Sequence, residues 1–393
     1  MYRLLFWLLF CFAKVAFAQE LLTIPGLADS PAVPGYWFPA KGNQPAPVVI
    51  GLHGCGGALT EKGSLSSKWK ELAVWFNREG MHFLVPDSFT TRGQKSICET
   101  PSNRRSIEES DRREDVFAAI RWLAARPDVD ASRIVVAGWS HGAQTVLKVL
   151  DRTSEFVRAQ PIQPRAAVAF YPGCGVATRG FQYEISAPLL LMIGELDNWT
   201  PARYCTLLRD QLASQKDIPL ELIVYPESYH GFDSSSPLQI RKDVGNTSSH
   251  TATVGGNSQA REKSRIRMFD FLAERLDRPL RMSHEARFLT HLYTVPPASD
   301  FAKINAVAAV PVSEKGKPRY EHYLTLPKPK AFVVTEKGGW YFNADNVNAM
   351  QTALDYCPTG LKCWLYAVDD QVVWSADPAK RIAKIAPAAH RAQ

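Results

Sequence analysis

The sequence lacks the patterns that mark several classes of protein. It contains no C-x-x-C pair and no histidine cluster at metal-ligand spacing, so it predicts no metal site. Arginines are not interleaved with aromatic residues as on a nucleic-acid-binding surface, so we expect no nucleic-acid partner. Beyond residue 18 no apolar run is long enough to cross a bilayer, so we expect no integral membrane segment there.

Residues 1–18 have the pattern of a secretory signal peptide. A short basic start with Arg3 precedes an apolar run, and residues 16–18 read A-F-A, the form of a cleavage site. An uncleaved membrane anchor is the alternative, but Lys14 interrupts the run, which is short for a bilayer. Cleavage lowers the formal net charge from +7 to +5 by removing Arg3 and Lys14. The pattern predicts a secreted or periplasmic protein.

Short apolar runs alternate with amphipathic helical segments over residues 19–279, which we interpret as one domain. The runs do not alternate in polarity, so they predict a mostly parallel, doubly wound α/β sheet that is covered on both faces. The predicted buried strands are 48–52, 82–85, 134–137, 166–171, 189–193 and 220–225. Residues 35–38 are predicted to add a short edge strand.

The pattern changes after Pro279. Residues 280–327 are weakly patterned and are interpreted as a linker, and residues 328–393 as a small α+β module. The module is predicted to contain a hairpin around Gly338-Gly339, a helix through Val347, Met350 and Leu354, and strands near 365–368 and 372–374. It shows no catalytic constellation, so binding and packing both stay open as its role.

The apolar run 134–137 leads into a G-x-S-x-G motif and then a helix-prone segment. A buried strand, a sharp turn and a helix place the central serine, Ser140, at the apex of the turn. Gly138 and Gly142 are small enough to let the strand and the helix approach closely. The backbone N–H of His141 can then face a developing oxyanion.

A serine hydroxyl needs a base to take its proton, and the base needs a third group to fix its tautomer. Like Ser140, Asp197 and His230 each follow a predicted strand. Because the carboxyl ends of parallel strands meet at one edge of a sheet, we predict a triad of Ser140, Asp197 and His230. Glu195 is an alternative acid, and capping of the next helix is an alternative role for Asp197.

Other residues at this edge are candidates for binding the substrate. Residues 53–57 read H-G-C-G-G after a strand, so the N–H of Cys55 is predicted as the second oxyanion donor, with Gly54 or Gly56 as alternatives. Trp139 and Trp199 are predicted to line the pocket. The loop residue Arg92 either ties its loop to backbone carbonyls or receives an anionic group of the substrate.

Export to an oxidising compartment makes the cysteines candidates for disulfides. Cys11 leaves with the signal peptide, and the six others permit fifteen pairings. Two pairs follow predicted strands at the same sheet edge, and the last two cysteines are close in the sequence. We therefore predict the disulfides Cys55–Cys98, Cys174–Cys205 and Cys357–Cys363.

An ordered set of motifs resembles the dienelactone hydrolase family. The motifs are L-H-G-C-G-G at 52–57, P-D-S-F at 86–89 with Arg92-Gly93, the Ser140 turn, F-Y-P-G at 170–173, Asp197, and Y-H-G-F at 229–232. The resemblance covers roughly residues 30 to 277 and implies an eight-stranded α/β-hydrolase fold, no cofactor, and hydrolysis of esters or lactones through an acyl-enzyme. By position it implies Ser140 as nucleophile, Asp197 as orienting acid and His230 as base.

The chain departs from the family pattern at specific positions. Ser140 stands where the founding members have cysteine, and the glutamate near residues 53–54 that holds the thiol is missing. Arg92 matches a substrate-binding arginine with a one-residue offset, and Asp233 stands where a second is expected. These differences disfavour dienelactone as the substrate. Residues 52–56 are also similar to secreted polyhydroxybutyrate depolymerases and feruloyl esterases.

The leading hypothesis is a secreted serine hydrolase that cleaves carboxylic esters or lactones, with a small-molecule or polymeric ester as its partner. A peptidase or an acyl transferase on the same scaffold is one alternative, and a catalytically silent binding protein is another. Because all three triad residues, Ser140, Asp197 and His230, are present, a catalytically silent protein is disfavoured. The sequence does not indicate the oligomeric state.

Overall fold

The structure is a computed structural model that describes residues 19–179, 183–215, 217–277, 291, 293–344 and 348–385. The predicted signal peptide, residues 1–18, lies outside the described residues. Within the described ranges, no helix has the length and apolar character needed to cross a membrane.

The main sheet has eight strands in the order β1-β2-β4-β3-β5-β6-β7-β8. Their bounds are β1 Glu20–Ile24, β2 Val33–Phe38, β3 Ala46–Leu52, β4 His82–Pro86, β5 Val129–Trp139, β6 Ala166–Phe170, β7 Leu189–Gly194 and β8 Leu220–Tyr225. The strands from β4 to β8 pair in parallel, whereas β1 and β2 add antiparallel pairs at one side. The predicted mostly parallel α/β sheet is confirmed.

One strand lies elsewhere in the sheet than predicted. Residues 35–38 belong to β2, which is an interior strand because β1 pairs with one side of it and β4 with the other. The prediction of an edge strand is therefore wrong. Residues 35–38 are all buried, as an interior position requires.

Helices cover both faces of the sheet. Their bounds are α1 Ser67–Arg78, α2 Glu109–Ala124, α3 His141–Leu150, α4 Glu155–Arg158, α5 Ala202–Leu212 and α6 Ser258–Arg275. Helices α1 and α6 pack on each other through Phe76 and Phe269, whose ring centroids are 5.3 Å apart, and α2 packs on α3. Covering both faces explains why the central strands are continuously apolar: Leu189, Leu190 and Leu191 of β7 are all fully buried. Each such leucine stabilises the fold by roughly 1.5–3 kcal/mol.

A two-stranded ribbon lies between the main sheet and α6 in the sequence. Strand β9 (Gln239–Lys242) pairs antiparallel with β10 (Thr251–Val254). Val254 of β10 also forms a bridge with His230. The ribbon therefore extends the wall of the sheet edge at which the carboxyl ends of the parallel strands meet.

The C-terminal part contains a four-stranded antiparallel sheet in the order β12-β11-β13-β14. Its elements are α7 Lys317–Thr325, β11 Ala331–Thr335, β12 Trp340–Asn343, α8 Ala349–Asp355, β13 Cys363–Val368 and β14 Gln371–Val372. The predicted hairpin is the β11–β12 pair, and α8 contains Met350 and Leu354; Val347 lies outside the described residues.

The two faces of this small sheet carry different helices because side chains alternate along a strand. On one face Val333 packs with Met350 of α8, and on the other Phe332 packs with Tyr320 and Tyr323 of α7. Both tyrosines are fully buried. Helix α7 thus lies within residues 280–327, which the sequence predicts as a linker, but its aromatic face is part of the core of the C-terminal sheet.

The segment around residue 293 joins the two parts of the chain. Tyr293 packs against the main core and also against the α8 side of the small sheet. Nearby, Arg78 of α1 donates a hydrogen bond to the His291 carbonyl, and His291 Nε2 lies 3.0 Å from Asp369. The small sheet is therefore held against α1 of the main domain.

Candidate active site

Ser140 lies at the turn between β5 and α3 with a positive φ of 54°. The turn is tight on both sides. A Cβ at Gly138 would lie 2.3 Å from the carbonyl oxygen of Gly142, and a Cβ at Gly142 would lie 2.2 Å from the Leu52 carbonyl oxygen. Only glycine fits at these two positions, so the serine is held in a strained conformation at the end of the strand.

The structure brings together the three residues of the predicted triad. Ser140 Oγ lies 2.9 Å from His230 Nε2, and His230 Nδ1 lies 2.8 Å from Asp197 Oδ2. His230 and Asp197 are each 4% exposed. The alternative acid Glu195 is exposed and accepts a hydrogen bond from the Glu227 N–H on the surface.

Asp197 is held by the turn that follows β7. Its Oδ1 accepts hydrogen bonds from the backbone N–H groups of Trp199 and Thr200 at 2.9 and 2.8 Å, and its Oδ2 accepts one from the Thr200 hydroxyl. The carboxylate therefore organises the turn before α5 and contacts the histidine at the same time. The two interpretations of Asp197, acid and local cap, describe one geometry.

His230 is confined between aromatic rings. Its imidazole lies 4.6 Å from the Tyr171 ring and 4.8 Å from the Trp199 ring, measured between centroids. These contacts restrict rotation of the imidazole, so Nε2 stays directed at Ser140 and Nδ1 at Asp197.

The predicted oxyanion donors lie beside Ser140. His141 is the first residue of α3, where a backbone N–H has no acceptor within the helix. Cys55 and Gly54 line the same cleft as Ser140, and a Cβ at Gly54 would be 3.4 Å from the Ser140 Cβ. Both predicted N–H groups, of Cys55 and His141, are thus on segments adjacent to the serine.

A buried arginine behind these segments connects them. Arg112 of α2 donates one hydrogen bond to the His53 carbonyl and another to His141 Nδ1, both at 2.7 Å. Burial, with the nearby Arg112 charge, lowers the pKa of His141 to about 4 and holds the pKa of His53 well below its usual range. Both histidines are therefore neutral at neutral pH. Neither contacts Ser140 Oγ as a second base.

A second carboxylate at the site, Asp233, has a side chain that is 9% exposed and was not predicted to have a role. It accepts hydrogen bonds from the Tyr171 hydroxyl at 2.7 Å, from Trp139 Nε1 at 2.8 Å and from Lys68 Nζ at 2.9 Å. Burial alone would raise the pKa of Asp233, but the Lys68 charge and the Tyr171 hydroxyl outweigh it and hold the pKa below its ordinary value. Asp233 thus links the residue before Ser140 to the residue that packs on His230.

The cleft above Ser140 has a volume of about 290 Å³. Trp139 and Trp199, both predicted to line the pocket, do line it, together with Trp69, Tyr171 and Lys68. Lys68 Nζ also lies 4.7 Å from the Trp139 ring centroid. The walls of the cleft therefore include four large aromatic side chains.

Arg92 has a structural position, and the prediction that it binds substrate is not supported by its contacts. Its guanidinium forms a two-fold hydrogen-bonded pair with Asp115 of α2 at 2.8 and 2.9 Å and donates to the Ser88 carbonyl at 2.8 Å. It does not line the cleft at Ser140. The alternative interpretation, an arginine that ties down its own loop, fits these contacts.

The structure contains the disulfides Cys55–Cys98, Cys174–Cys205 and Cys357–Cys363. These are the same pairs as those proposed from the sequence. The first lies at the cleft, since Cys55 and Cys98 both line it. The described residues include no group of three or more His, Cys, Asp or Glu side chains placed to hold a metal ion.

The chain has a mostly parallel eight-stranded sheet, a serine turn after β5, and an acid and a histidine after later strands. These features define the α/β hydrolases. Within this class the chain belongs to the dienelactone hydrolase family, whose sequence model matches residues 33–276. It is therefore a carboxylic ester hydrolase.

Several solved structures are similar to the chain at low identity. A Klebsiella pneumoniae protein described as a dienelactone hydrolase is 18% identical, with a TM-score of 0.48 over 66% of this chain and 99% of its own. A butyrate-bound esterase of Thermogutta terrifontis is 17% identical, with a TM-score of 0.48 over 67% of this chain and 96% of its own. Dipeptidyl peptidase 4 of Porphyromonas gingivalis is 18% identical, with a TM-score of 0.46 over 65% of this chain and 35% of its own. No curated protein matches the chain.

Proposed function

We propose that the chain is a serine esterase that hydrolyses carboxylic esters outside the cytosol, through an acyl-enzyme formed on Ser140. The observation that carries this proposal is the continuous set of hydrogen bonds from Ser140 through His230 to Asp197. It contains a nucleophile, a base and a group that orients the base, in contact and in that order.

Acylation begins with proton transfer from Ser140 Oγ to His230 Nε2. The Ser140 oxygen attacks the ester carbonyl carbon, and the carbonyl oxygen becomes an oxyanion. Asp197 accepts the Nδ1–H of His230, so it holds the tautomer whose Nε2 is free to receive the proton. The same carboxylate then stabilises the imidazolium.

The oxyanion is stabilised by backbone N–H groups of Cys55 and His141 in this proposal. Arg112 supports the segments that carry both donors. It donates hydrogen bonds to the His53 carbonyl, which precedes Cys55 in the chain, and to the side chain of His141 itself. Preorganised donors of this kind contribute about 3–4 kcal/mol each to transition-state stabilisation.

The cycle is completed by three further proton transfers. His230 gives its proton to the leaving alkoxide oxygen, and the alcohol departs. Water then enters, His230 takes one of its protons, and the resulting hydroxide attacks the acyl carbon. The intermediate collapses, Ser140 recovers its proton from His230, and the carboxylic acid is released.

The lining of the cleft favours an ester substrate with an apolar group near the scissile bond. Trp69, Trp139 and Trp199 line it, and the aromatic walls favour apolar contact over a charged group beside the reacting carbon. Arg92, which the family pattern suggested as a carboxylate partner, is engaged with Asp115. These contacts support an ester other than dienelactone.

The three disulfides are consistent with a location outside the cytosol, extracellular or periplasmic. The signal peptide in residues 1–18 stays a prediction from the sequence. Sequencing the amino terminus of the exported protein tests it, and the expected first residue is Gln19.

Labelling with a fluorophosphonate probe tests the proposed nucleophile directly. The protein is expected to take up one probe, on the peptide that contains Ser140, and to hydrolyse p-nitrophenyl butyrate. Ser140→Ala is expected to lose both properties. Hydrolysis without labelling at Ser140, or labelling that persists in Ser140→Ala, would refute the proposed mechanism.

A further inference from the structure

Two further cavities lie beside the cleft at Ser140, along the loop of residues 234–236. The cleft shares Lys68, Trp139, Ser234 and Ser236 with a second cavity of about 190 Å³. The second cavity shares residues 234–236, Asn343 and Tyr356 with a third cavity of about 640 Å³. We call the third cavity the distal chamber; its volume is more than twice that of the cleft.

The distal chamber lies between the two parts of the chain. The main domain contributes residues 234–237, which follow Asp233 on the loop that also carries His230. The C-terminal part contributes Arg319 and His322 of α7 and Phe342 of β12. Side chains of the C-terminal part therefore form one wall of a space that adjoins the cleft.

The charges along these cavities are predominantly positive. Among the described residues that line the cleft and the distal chamber there is no carboxylate, whereas Lys68 and Arg241 line the cleft and Arg319 lines the chamber. In the second cavity three cations face the two carboxylates Glu71 and Asp233. Where these cavities bind a charged group, an anion is therefore favoured over a cation.

Arg319 is the cation best placed to bind such a group. Its side chain is exposed to the chamber, and no hydrogen bond or ion pair joins it to another described residue. Lys68 and Arg241, by contrast, are paired with Asp233 and Glu99. A guanidinium receives a carboxylate through two parallel hydrogen bonds and keeps its charge at any working pH.

Part of the chamber wall is suited to hydrocarbon. Leu326, Pro327, Phe342 and Tyr356 line it together with Arg319. A ligand with an apolar chain and one anionic end satisfies both kinds of wall at once.

We propose that the distal chamber binds the far end of the substrate's acyl chain, and that this chain is apolar and ends in a carboxylate held by Arg319. This inference rests on the proposed esterase function, with the ester carbonyl at Ser140 and the acyl chain passing residues 234–236. The substrates are then half-esters of long dicarboxylic acids or oligoesters with a free acid end.

The test uses p-nitrophenyl half-esters of dicarboxylic acids from succinic to sebacic acid, each paired with the neutral p-nitrophenyl alkanoate of equal length. Arg319→Gln is compared with Lys315→Gln, which removes an exposed cation four residues earlier that does not line the chamber. For the long half-esters, Arg319→Gln is expected to lower kcat/KM by about tenfold or more, as loss of a charged hydrogen bond does. Succinic half-esters and all neutral esters are expected to change by less than about twofold in either variant.

Two kinetic results would overturn the inference. One is an equal effect of Arg319→Gln on long charged and long neutral esters. The other is a dependence on Arg319 only when the carboxylate is on the alcohol side of the ester.

A binding measurement separates this inference from the proposed function. If p-nitrophenyl butyrate is not hydrolysed, the esterase proposal fails, and calorimetry with sebacate still reports on the chamber. The unmodified protein is expected to bind sebacate about tenfold more tightly than Arg319→Gln does. Equal binding by both proteins, or none by either, would overturn the chamber assignment.

Discussion

The guanidinium of Arg112 donates a hydrogen bond of 2.7 Å to Nδ1 of His141, the residue next to Ser140. A guanidinium has no acceptor, so Nδ1 carries no proton and the imidazole holds its hydrogen on Nε2. That nitrogen lies 3.3 Å from a Glu109 carboxylate oxygen. Protonation of His141 places a second hydrogen on Nδ1, against the guanidinium.

This contact predicts a specific loss of stability in acid. The pKa of His141 is lowered from 6.5 to about 4 in the folded protein by burial and by Arg112, so the unfolded chain binds the extra proton first as the pH falls. The contribution of His141 to the free energy of unfolding is complete above its pKa of 6.5 in the unfolded chain. As the pH is lowered from 6.5 to about 4, this contribution falls by about 1.4 kcal/mol per pH unit. Urea unfolding across this range is expected to show a shallower pH dependence for His141→Gln than for the unmodified protein.

His322→Gln is the matched control for that measurement, because His322 is exposed. Its unfolding free energy is expected to follow the pH in the same way as that of the unmodified protein. An unchanged slope in His141→Gln would show that the histidine does not titrate as proposed.

Ser140 and His230 are expected to act as one unit. Ser140→Ala and His230→Ala should each lower kcat for p-nitrophenyl butyrate by about 10³-fold or more, and the double variant should lose little beyond either single change. Asp197→Asn should cost less than either, since the base is still present but less well oriented. Steady-state kinetics with circular dichroism as a check on folding decide this. Multiplicative losses in the double variant would contradict a shared proton-transfer chain.

Arg92 is expected to contribute to stability and not to substrate selection. Its partner Asp115 has a side chain only 1% exposed, so Arg92→Ala leaves a buried carboxylate without its cation and should cost about 3 kcal/mol of unfolding free energy. Arg133→Ala, which breaks a partly exposed pair with Asp130, should cost less, about 1 kcal/mol. The kcat/KM ratio for an anionic and a neutral ester of equal length should be the same before and after Arg92→Ala. A loss of kcat/KM confined to the anionic ester would show that Arg92 binds the substrate.

The disulfide at the cleft is expected to affect catalysis as well as stability. Cys55 and Cys98 are 43 residues apart, which in the chain-entropy model gives roughly 4 kcal/mol of stabilisation, against roughly 2 kcal/mol for Cys357 and Cys363, which are 6 apart. Replacing Cys55 and Cys98 by alanine should also lower kcat by about tenfold or more, because the pair fixes a predicted oxyanion donor.

Replacing Cys357 and Cys363 by alanine is the control, since neither lines the cleft. This pair of substitutions should lower the melting temperature. At temperatures well below the new melting temperature, kcat for p-nitrophenyl butyrate should be unchanged. Equal effects of both double variants on kcat would mean that the cleft disulfide does not position the donor.

The sequence predicted the parts of the structure that depend on local pattern and chain order. Continuous apolar runs indicated parallel strands, and parallel strands place their carboxyl ends at one edge, so Ser140, Asp197 and His230 could be grouped before any distance was known. The interior position of residues 35–38 was also recoverable, because residues 36–38 are Tyr-Trp-Phe and have no polar face for an edge strand to present.

Long-range polar pairs could not be predicted in the same way. Nothing local to Arg92 shows that Asp115 of α2 faces its loop, so a substrate role and a structural role had equal support. Asp233 takes its three donors from positions 68, 139 and 171, which only the folded sheet brings together. The aromatic face of α7 is a short pattern, and its burial depends on a sheet that follows it in the sequence.

Gly142 shows how differently the two sides of the cleft can change during evolution. A Cβ at this position would lie 2.2 Å from the Leu52 carbonyl oxygen and 2.6 Å from that of His53, so the serine turn packs closely on the segment leading to Cys55. A side chain introduced at Gly142 pushes the serine turn away from the segment that carries the oxyanion donor. That side of the cleft therefore tolerates little variation. The opposite side consists of residues 234–236 and the β9–β10 ribbon, whose side chains are exposed or half-buried except for that of Ala252. New substrate preferences in this lineage are therefore expected to arise by substitutions and insertions on that side, with the reaction chemistry unchanged.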